Sequence, residues 1–172
     1  QINTDINIRP PGKQSNFNLG MVVAANNEKS PLEVKGQFKP DKKTGWSMNN
    51  ADLDIGINIE NLDLESIEPF LEMAGVEIKS KGSIIVDIQS KVVDGLFENA
   101  VGTIKGKQLE INNVRTQEII KTSVLDVDVK LTQKNQMINI DKMSLQTDWA
   151  KIQAGGAIPT SIKSLDSFLK SE

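Results

Sequence analysis

Acidic side chains are the most numerous candidates for chemistry in this sequence, and they concentrate between residues 52 and 72. Clustered carboxylates serve two kinds of site, a calcium loop or the acid–base pair of a glycosidase. The carboxylates are Asp52, Asp54, Glu60, Asp63, Glu65, Glu68 and Glu72. They lack the run of alternating ligands and glycine that a calcium loop requires. We therefore interpret them as solvent-facing strand residues and as residues at a helix start, where the helix dipole favours negative charge.

The sequence also lacks the residues that most other catalytic mechanisms require. The chain of 172 residues contains no histidine and no cysteine, which removes the commonest general base and all thiolate chemistry. Serine and threonine hydroxyls therefore have no histidine to activate them. The segment 102–107 lacks the first part of a phosphate loop, and Gln108 stands where Ser or Thr is required, so we predict a turn there. We expect no enzyme, no cofactor and no metal site.

The composition also argues against nucleic-acid binding and against a membrane-spanning helix. The 20 basic and 23 acidic residues are interspersed and give a net charge of −3, which is not a nucleic-acid footprint. No apolar run approaches the roughly 20 residues that a membrane-spanning helix needs. The chain begins at Gln1 directly in strand-like sequence. We expect a piece of a longer protein, with any membrane anchor outside this sequence.

Alternation of apolar and polar residues predicts that most of the chain forms β-strands. We predict an all-β, mainly antiparallel fold with two short helices, in which an elongated, curved, repeat-like sheet forms an open groove or a flattened sandwich. The apolar parity switches after Ile140, so a bulge is expected near Asp141 and Lys142. A short strand is expected to begin at Trp46, and we interpret Trp46 and Trp149 as core or edge filling.

Two segments with helical spacing of apolar residues suggest an internal repeat. Leu64-x-x-Ile67-x-x-Phe70-Leu71 has the same pattern as Ile162-x-x-Leu165-x-x-Phe168-Leu169, 98 positions later. Each follows an alternating strand. We predict a single segment (1–172) of a longer β-repeat protein, with units of about 1–75 and 76–172 that each end in a strand and a short helix. In the first helix, Pro69 is expected in the first turn of a regular helix that starts near Ile67.

The apolar face of the predicted sheet is the feature with functional promise. Many strands each present a row of Ile, Val and Leu, and only two short helices are available to cover them. If the sheet is an open trough, the exposed face can hold acyl chains, whereas a closed sandwich leaves no room for them. The candidate groove-lining residues are Leu53, Ile55, Ile57, Ile59, Ile84, Val86, Ile88, Leu125, Val127, Val129, Leu131, Ile138 and Ile140.

One part of the sequence resembles a known family. The stretch 53–71 contains an alternating strand, the turn Asn-Leu-Asp-Leu and a short helix that ends in Phe70-Leu71. A Lys-Gly strand follows at 78–88, and Gly95-x-x-x-Asn-x-x-Gly-x-Ile104 opens a strand pair. Together these motifs resemble the AsmA-like family of envelope proteins, which includes the TamB-related proteins. The resemblance covers residues 50–113, and the remainder matches by strand periodicity alone.

The resemblance implies a non-enzymatic segment of a periplasmic protein of a Gram-negative-type cell envelope, anchored in the inner membrane through a part not present here. Its apolar β-groove would contribute to phospholipid transport between membranes or to outer-membrane assembly. The implied partners are phospholipid acyl chains and other envelope proteins. Two alternatives stay open at this point: a β-sandwich binding or adhesin-type module, and a structural spacer of a surface protein.

Overall fold

The described part of the chain folds as one open antiparallel sheet with one short helical segment. The computed structural model describes residues 1–25 and 28–160, and each strand in it pairs with its neighbours in sequence, so that the order in the sheet equals the order in the chain. This confirms the predicted all-β, antiparallel class. The described residues form a single sheet, so the predicted sandwich is not what is observed. The strands are β1 (Ile2–Asn7), β2 (Ser15–Ala25), β3 (Glu28–Lys39), β4 (Asp52–Asp63), β5 (Ile78–Val93), β6 (Leu96–Asn113), β7 (Glu118–Lys134), β8 (Met137–Thr147) and β9 (Lys151–Pro159).

The helical segment follows β4 directly. A 3₁₀ turn (Leu64–Ile67) leads into helix α1 (Glu68–Met73), and Pro69 lies in the first turn of α1, where its missing N–H costs nothing. Gly75 has a φ of +77°, the left-handed conformation that ends helices. The predicted position of this helix is therefore confirmed. The second predicted helix, which begins at Ile162, lies outside the described residues.

Short turns with left-handed residues explain how the long strands reverse. The β5–β6 connection is Asp94-Gly95, with φ of +52° and +75°, and the β7–β8 connection is Asn135-Gln136, with φ of +53° and +59°. Positive φ at both central residues gives the turn a twist that matches the twist of the flanking strands. Both connections are therefore tight two-residue hairpins.

Two irregularities in the strands bear on the predicted bulge near Asp141 and the predicted turn at 102–107, and only the bulge is confirmed. Asp141 is the extra residue of a bulge, because Lys130 pairs with Lys142 while the next residue of β7 pairs with Ile140. The predicted bulge is confirmed. The turn predicted at 102–107 is wrong, because β6 continues to Asn113. The irregularity there is a left-handed Gln108, whose backbone passes so close to Gly82 that a Cβ on that glycine would clash.

The strand predicted to begin at Trp46 is also wrong. Residues 40–51 form a compact loop between β3 and β4, in which Gly45 N–H donates to Asp41 O (3.1 Å) and Thr44 Oγ1 donates to Asn49 O (2.9 Å). These local hydrogen bonds satisfy backbone groups that a strand would have paired with a neighbour. Trp46 is 57% exposed in this loop.

The two ends of the sheet carry different connections. The Trp46 end, as we call it, carries residues 8–14, 40–51, 94–95 and 135–136. The helix end carries 64–77, 114–117 and 148–150. The first predicted repeat unit contains β1–β4 and the second contains β5–β9, so that β4 and β9 run in opposite directions and finish at opposite ends. The division into two units stays a prediction.

Candidate functional site

The pairing register places every candidate groove-lining residue on one face of the sheet. Directly paired residues of antiparallel strands point to the same side. Ile57 pairs with Ile88, Ile88 with Gly102, Gly102 with Val129 and Val129 with Met143, so that a single row crosses five strands. Neighbouring rows link the other candidates in the same way. We call this side the apolar face, and it carries Leu53, Ile55, Ile57, Ile59, Ile84, Val86, Ile88, Leu125, Val127, Val129, Leu131, Ile138 and Ile140.

The apolar face is larger than the set chosen from sequence. Strands β2 and β3, and also β6 and β9, contribute to it, since their residues pair with the candidates directly or through one further strand. The alternation in these strands was visible in the sequence. Only the register, however, shows that all of it faces one way. The added residues include Phe17, Leu19, Met21, Leu32, Val34, Phe38, Ile104, Leu145 and Ile152.

Neighbouring side chains fill the space over two glycines of this face, Gly36 and Gly106. The ring of Phe17 occupies the space over Gly36, so closely that a Cβ on Gly36 would lie 2.6 Å from the ring. Leu109 does the same over Gly106, where the corresponding distance is 2.5 Å. Gly36 and Gly106 therefore leave no gap in the apolar face, whereas Gly156, which pairs with Ile140, has nothing within 4 Å of an added Cβ.

Burial on the apolar face falls from its middle towards the outer strands. Val86 in β5 is 8% exposed. Ile6 in β1 is 58% exposed, and Ile152 in β9 is 54% exposed. The central side chains are shielded by their neighbours on the same face, since the described residues provide no second sheet above them. Within residues 1–25 and 28–160, the face is therefore an uncovered apolar surface and not a core.

The 3₁₀ turn and α1 close one edge of the apolar face. Leu62 and Leu64 bury their side chains at the end of β4, with exposures of 4% and 8%. Glu68 fixes the helix to β5, because its carboxylate accepts the backbone N–H of Ser80 and pairs with Lys79 Nζ (3.2 Å). The Ser80 N–H, and after it Lys79, hold the pKa of Glu68 below its usual value. The segment is thus anchored at the helix end.

The opposite face carries the charged and amide side chains. Lys39 pairs with Asp52 (3.3 Å) and Lys142 with Asp128 (2.9 Å) across neighbouring strands. The backbone N–H of Asp94, and after it Lys39, lower the pKa of Asp52. A hollow of about 710 Å³ between β2 and β5 is lined mainly by Asn, Gln, Asp, Glu and Lys side chains. We interpret this face as the solvated one.

The fold disperses the carboxylates between residues 52 and 72, which were the candidates for a calcium site or an acid–base pair. Asp52 is bound to Lys39, Asp63 caps the 3₁₀ turn through Glu65 N–H, and Glu72 pairs with Lys79 (2.8 Å). No three carboxylates in the described part of the chain are grouped as metal ligands would be. Asp52 thus joins β4 to β3, and Glu72 joins α1 to β5.

Comparisons with known proteins provide no relative for this chain. No family model, no curated protein and no solved structure matches it. Among the residues that the structure describes, no helix combines the length and the apolar character needed to cross a membrane.

Proposed function

We propose that this chain is a segment of an AsmA-like envelope protein whose apolar face holds phospholipid acyl chains, and that it contributes to phospholipid transport between membranes or to outer-membrane assembly. The observation that carries the proposal is the uncovered apolar face that continues across all nine strands. The sequence resemblance over residues 50–113 supports the same assignment, because it falls on β4, the helix, β5 and β6. The proposal places the chain in the periplasm.

The dimensions of the face suit an acyl chain. Four alternating apolar residues from Leu53 to Ile59 span about 20 Å along a strand, which exceeds the roughly 15 Å depth of one leaflet of a bilayer core. Eight interstrand spacings give a width of about 38 Å. The resulting area is several hundred Å², about the size at which an exposed apolar patch on a monomer usually marks a binding surface. The apolar side chains along one strand therefore extend far enough to contact a whole extended acyl chain.

A detergent-free purification tests the proposal directly. The chain is expressed in a bacterial periplasm, purified without detergent and examined by native mass spectrometry for bound phospholipid. A phospholipid with a photoactivatable acyl chain is then cross-linked, and the modified peptides are mapped. We expect bound lipid and cross-links on side chains of the apolar face. A lipid-free protein, or cross-links confined to the polar face, would contradict the proposal.

Two cross-strand pairs on opposite faces provide a matched control. Ile57 and Ile88 are partners on the apolar face, and the adjacent partners Asn58 and Asp87 lie on the polar face. The double variant I57Q/I88Q is expected to lose most cross-links from β4 and β5, because two amides interrupt the apolar row. The control N58Q/D87N keeps them. Equal labelling of both variants would show that the face is not the binding surface.

The adhesin-type alternative is favoured by one observation and opposed by another. Trp46 and Trp149 are 57% and 68% exposed in connections, as sugar-stacking residues would be, and the expectation that they fill a core or an edge is wrong. The continuous apolar face, however, is not what such a module would present. Binding of glycans without bound lipid would favour this alternative, and the absence of both would favour a spacer.

A further inference from the structure

Backbone hydrogen bonds join three connections at the Trp46 end into one cluster. Gly12 N–H donates to Pro40 O (2.8 Å), which joins the β1–β2 and β3–β4 connections. Gly95 N–H donates to Ala51 O (2.8 Å), which joins the latter to the β5–β6 turn. Pro40 and Ala51 are fully buried beneath these contacts. The cluster is therefore a built surface and not a set of independent loops.

This cluster points large apolar side chains into solvent. Ile8 is 69% exposed, Trp46 57%, Met48 50% and Leu96 63%. They come from three different connections and their flanks. A folded loop that displays Trp and Met outward has the composition of membrane-contacting loops, since Trp prefers the boundary between headgroups and acyl chains.

The same cluster is basic, although the whole chain is acidic. Connections at the Trp46 end contain four cations, Arg9, Lys13, Lys42 and Lys43, against two carboxylates, Asp41 and Asp94. None of the four forms an ion pair with another described residue. The helix end has the opposite composition, with five carboxylates (Glu65, Glu68, Glu72, Glu77 and Asp148) against Arg115. The chain is thus polarised along its strands.

We infer that the Trp46 end is a docking surface for a bilayer that contains anionic phospholipid. Cations near such a surface are attracted by its negative potential, and exposed Trp, Met, Leu and Ile side chains gain from burial at the headgroup boundary. Charge complementarity selects this end over the helix end, whose carboxylates an anionic surface repels. A bilayer is a better match than a soluble anion, because the cations are accompanied by exposed apolar side chains.

Docking at this end would also bring the bilayer to the apolar face. The ring of Trp46 lies 6.2 Å from the ring of Phe38, between centroids, and Phe38 shares the apolar face with Leu53. An acyl chain that leaves the bilayer beside Trp46 therefore meets that face at once. This entry route rests on the proposed function, whereas docking itself rests only on the loops.

The two tryptophans lie at opposite ends of the sheet, so their fluorescence reports which end contacts a vesicle. In the variant W149F only Trp46 fluoresces, and in W46F only Trp149 does. We expect vesicles of phosphatidylcholine with about one third phosphatidylglycerol to shift Trp46 emission to the blue and to leave Trp149 emission unchanged. Pure phosphatidylcholine should bind weakly, and added salt should release the protein.

Two double variants with the same net charge distinguish the effect of lysines at the Trp46 end from the effect of net charge alone. We expect K42S/K43S to bind the anionic vesicles about 30-fold more weakly, since each cation near the surface contributes roughly a factor of five. The control K81S/K107S removes two exposed lysines near the helix end and should bind as the parent does. A blue shift of Trp149, equal losses in both double variants, or no vesicle binding would overturn the inference.

The outcome is independent of the acyl-chain assay. A parent protein that docks on vesicles but carries no lipid would refute the proposed function and leave the docking surface standing. A protein that carries lipid but does not bind anionic vesicles would do the reverse. Capture of a soluble protein by the same end, with no vesicle binding, also counts against the docking inference.

Discussion

Replacing Gly36 by alanine tests the packing of the apolar face at one point. Gly36 lies in β3, between Phe17 of β2 and Ile55 of β4. A Cβ built on Gly36 would lie 2.5 Å from the carbonyl oxygen of Asp54 and 2.6 Å from Phe17 Cζ. The ring can move aside only by losing its contacts, and the carbonyl belongs to a strand that is paired on both sides. The methyl group is therefore expected to strain the sheet.

The expected magnitude follows from two opposing terms. Forcing one extra carbon into a filled site costs about 1–3 kcal/mol. Alanine restricts the unfolded chain more than glycine does, which returns about 0.4–1 kcal/mol. We expect a net loss of about 1–2 kcal/mol in the free energy of unfolding. Gly20 in β2 is the matched control, because the nearest atom to its added Cβ is 3.9 Å away. G20A should be neutral or slightly stabilising.

Urea denaturation followed by far-ultraviolet circular dichroism measures both variants. The comparison is valid if the dependence of the free energy on urea is the same in both, since a changed slope would indicate a changed folded or unfolded state. We expect G36A to unfold at a lower urea concentration than the parent and G20A at the same or a higher one. Equal midpoints for the two variants would refute the register and the packing of Phe17 over Gly36.

Three further predictions concern the carboxylates. E68Q should lower the free energy of unfolding by about 1 kcal/mol in thermal denaturation, because the amide weakens charge-assisted hydrogen bonds to β5. The control E65Q changes an exposed side chain and should have little effect. Equal losses in both variants would contradict the role of Glu68. The pKa values of Glu68 and Asp52 are lowered in the folded state, so the stability that they contribute should be present at neutral pH and lost as pH falls below about 4; acid titration of the unfolding midpoint checks this, and a smaller acid loss is expected in E68Q. Asp148 accepts Thr122 Oγ1–H and Ser123 N–H, so D148N should speed amide hydrogen exchange at Ser123 and leave β4 unaffected.

The sequence predicted the apolar face well because the pattern of a strand is local. Alternation of period two determines which residues of one strand share a side, as in 53–59, and this holds whatever the strand pairs with. The break of parity after Ile140 likewise located the bulge at Asp141. The helix after β4 was predictable for the same reason, since Pro69 and Gly75 mark its start and its end through their own backbone preferences.

Features that depend on distant partners were not predictable in this way. The loop 40–51 has an alternating Trp46 and Met48, as a strand would, but local hydrogen bonds and contacts with the β5–β6 turn close it. Gln108 carries no turn signal, and its left-handed conformation is tolerated because Gly82 lies opposite. The choice between a sandwich and an open sheet also depends on pairing between distant strands. The basic cluster at the Trp46 end is assembled from three separate connections, so no single stretch reveals it.

Because few apolar side chains are buried, a ligand that covers the apolar face should raise the stability of the folded state. The buried apolar side chains in the described residues are Ala51, Leu62, Leu64, Val86 and Leu109, which is few for a sheet of nine strands. Because the face keeps much of its area in contact with water, a ligand that covers it contributes the burial that a second layer would otherwise provide. Lipid occupancy and stability should therefore be coupled.

This coupling can be measured on delipidated protein. A ligand that binds only the folded state stabilises it by about 2.7 kcal/mol at a concentration one hundred times its dissociation constant. We expect a short-chain phospholipid below its micellar concentration to raise the unfolding temperature of the parent as the lipid concentration increases. The variant I57Q/I88Q should show a smaller rise, and N58Q/D87N the full one. An unchanged unfolding temperature in the parent would mean that the face does not take up lipid, because binding to the folded state alone cannot leave its stability unaltered.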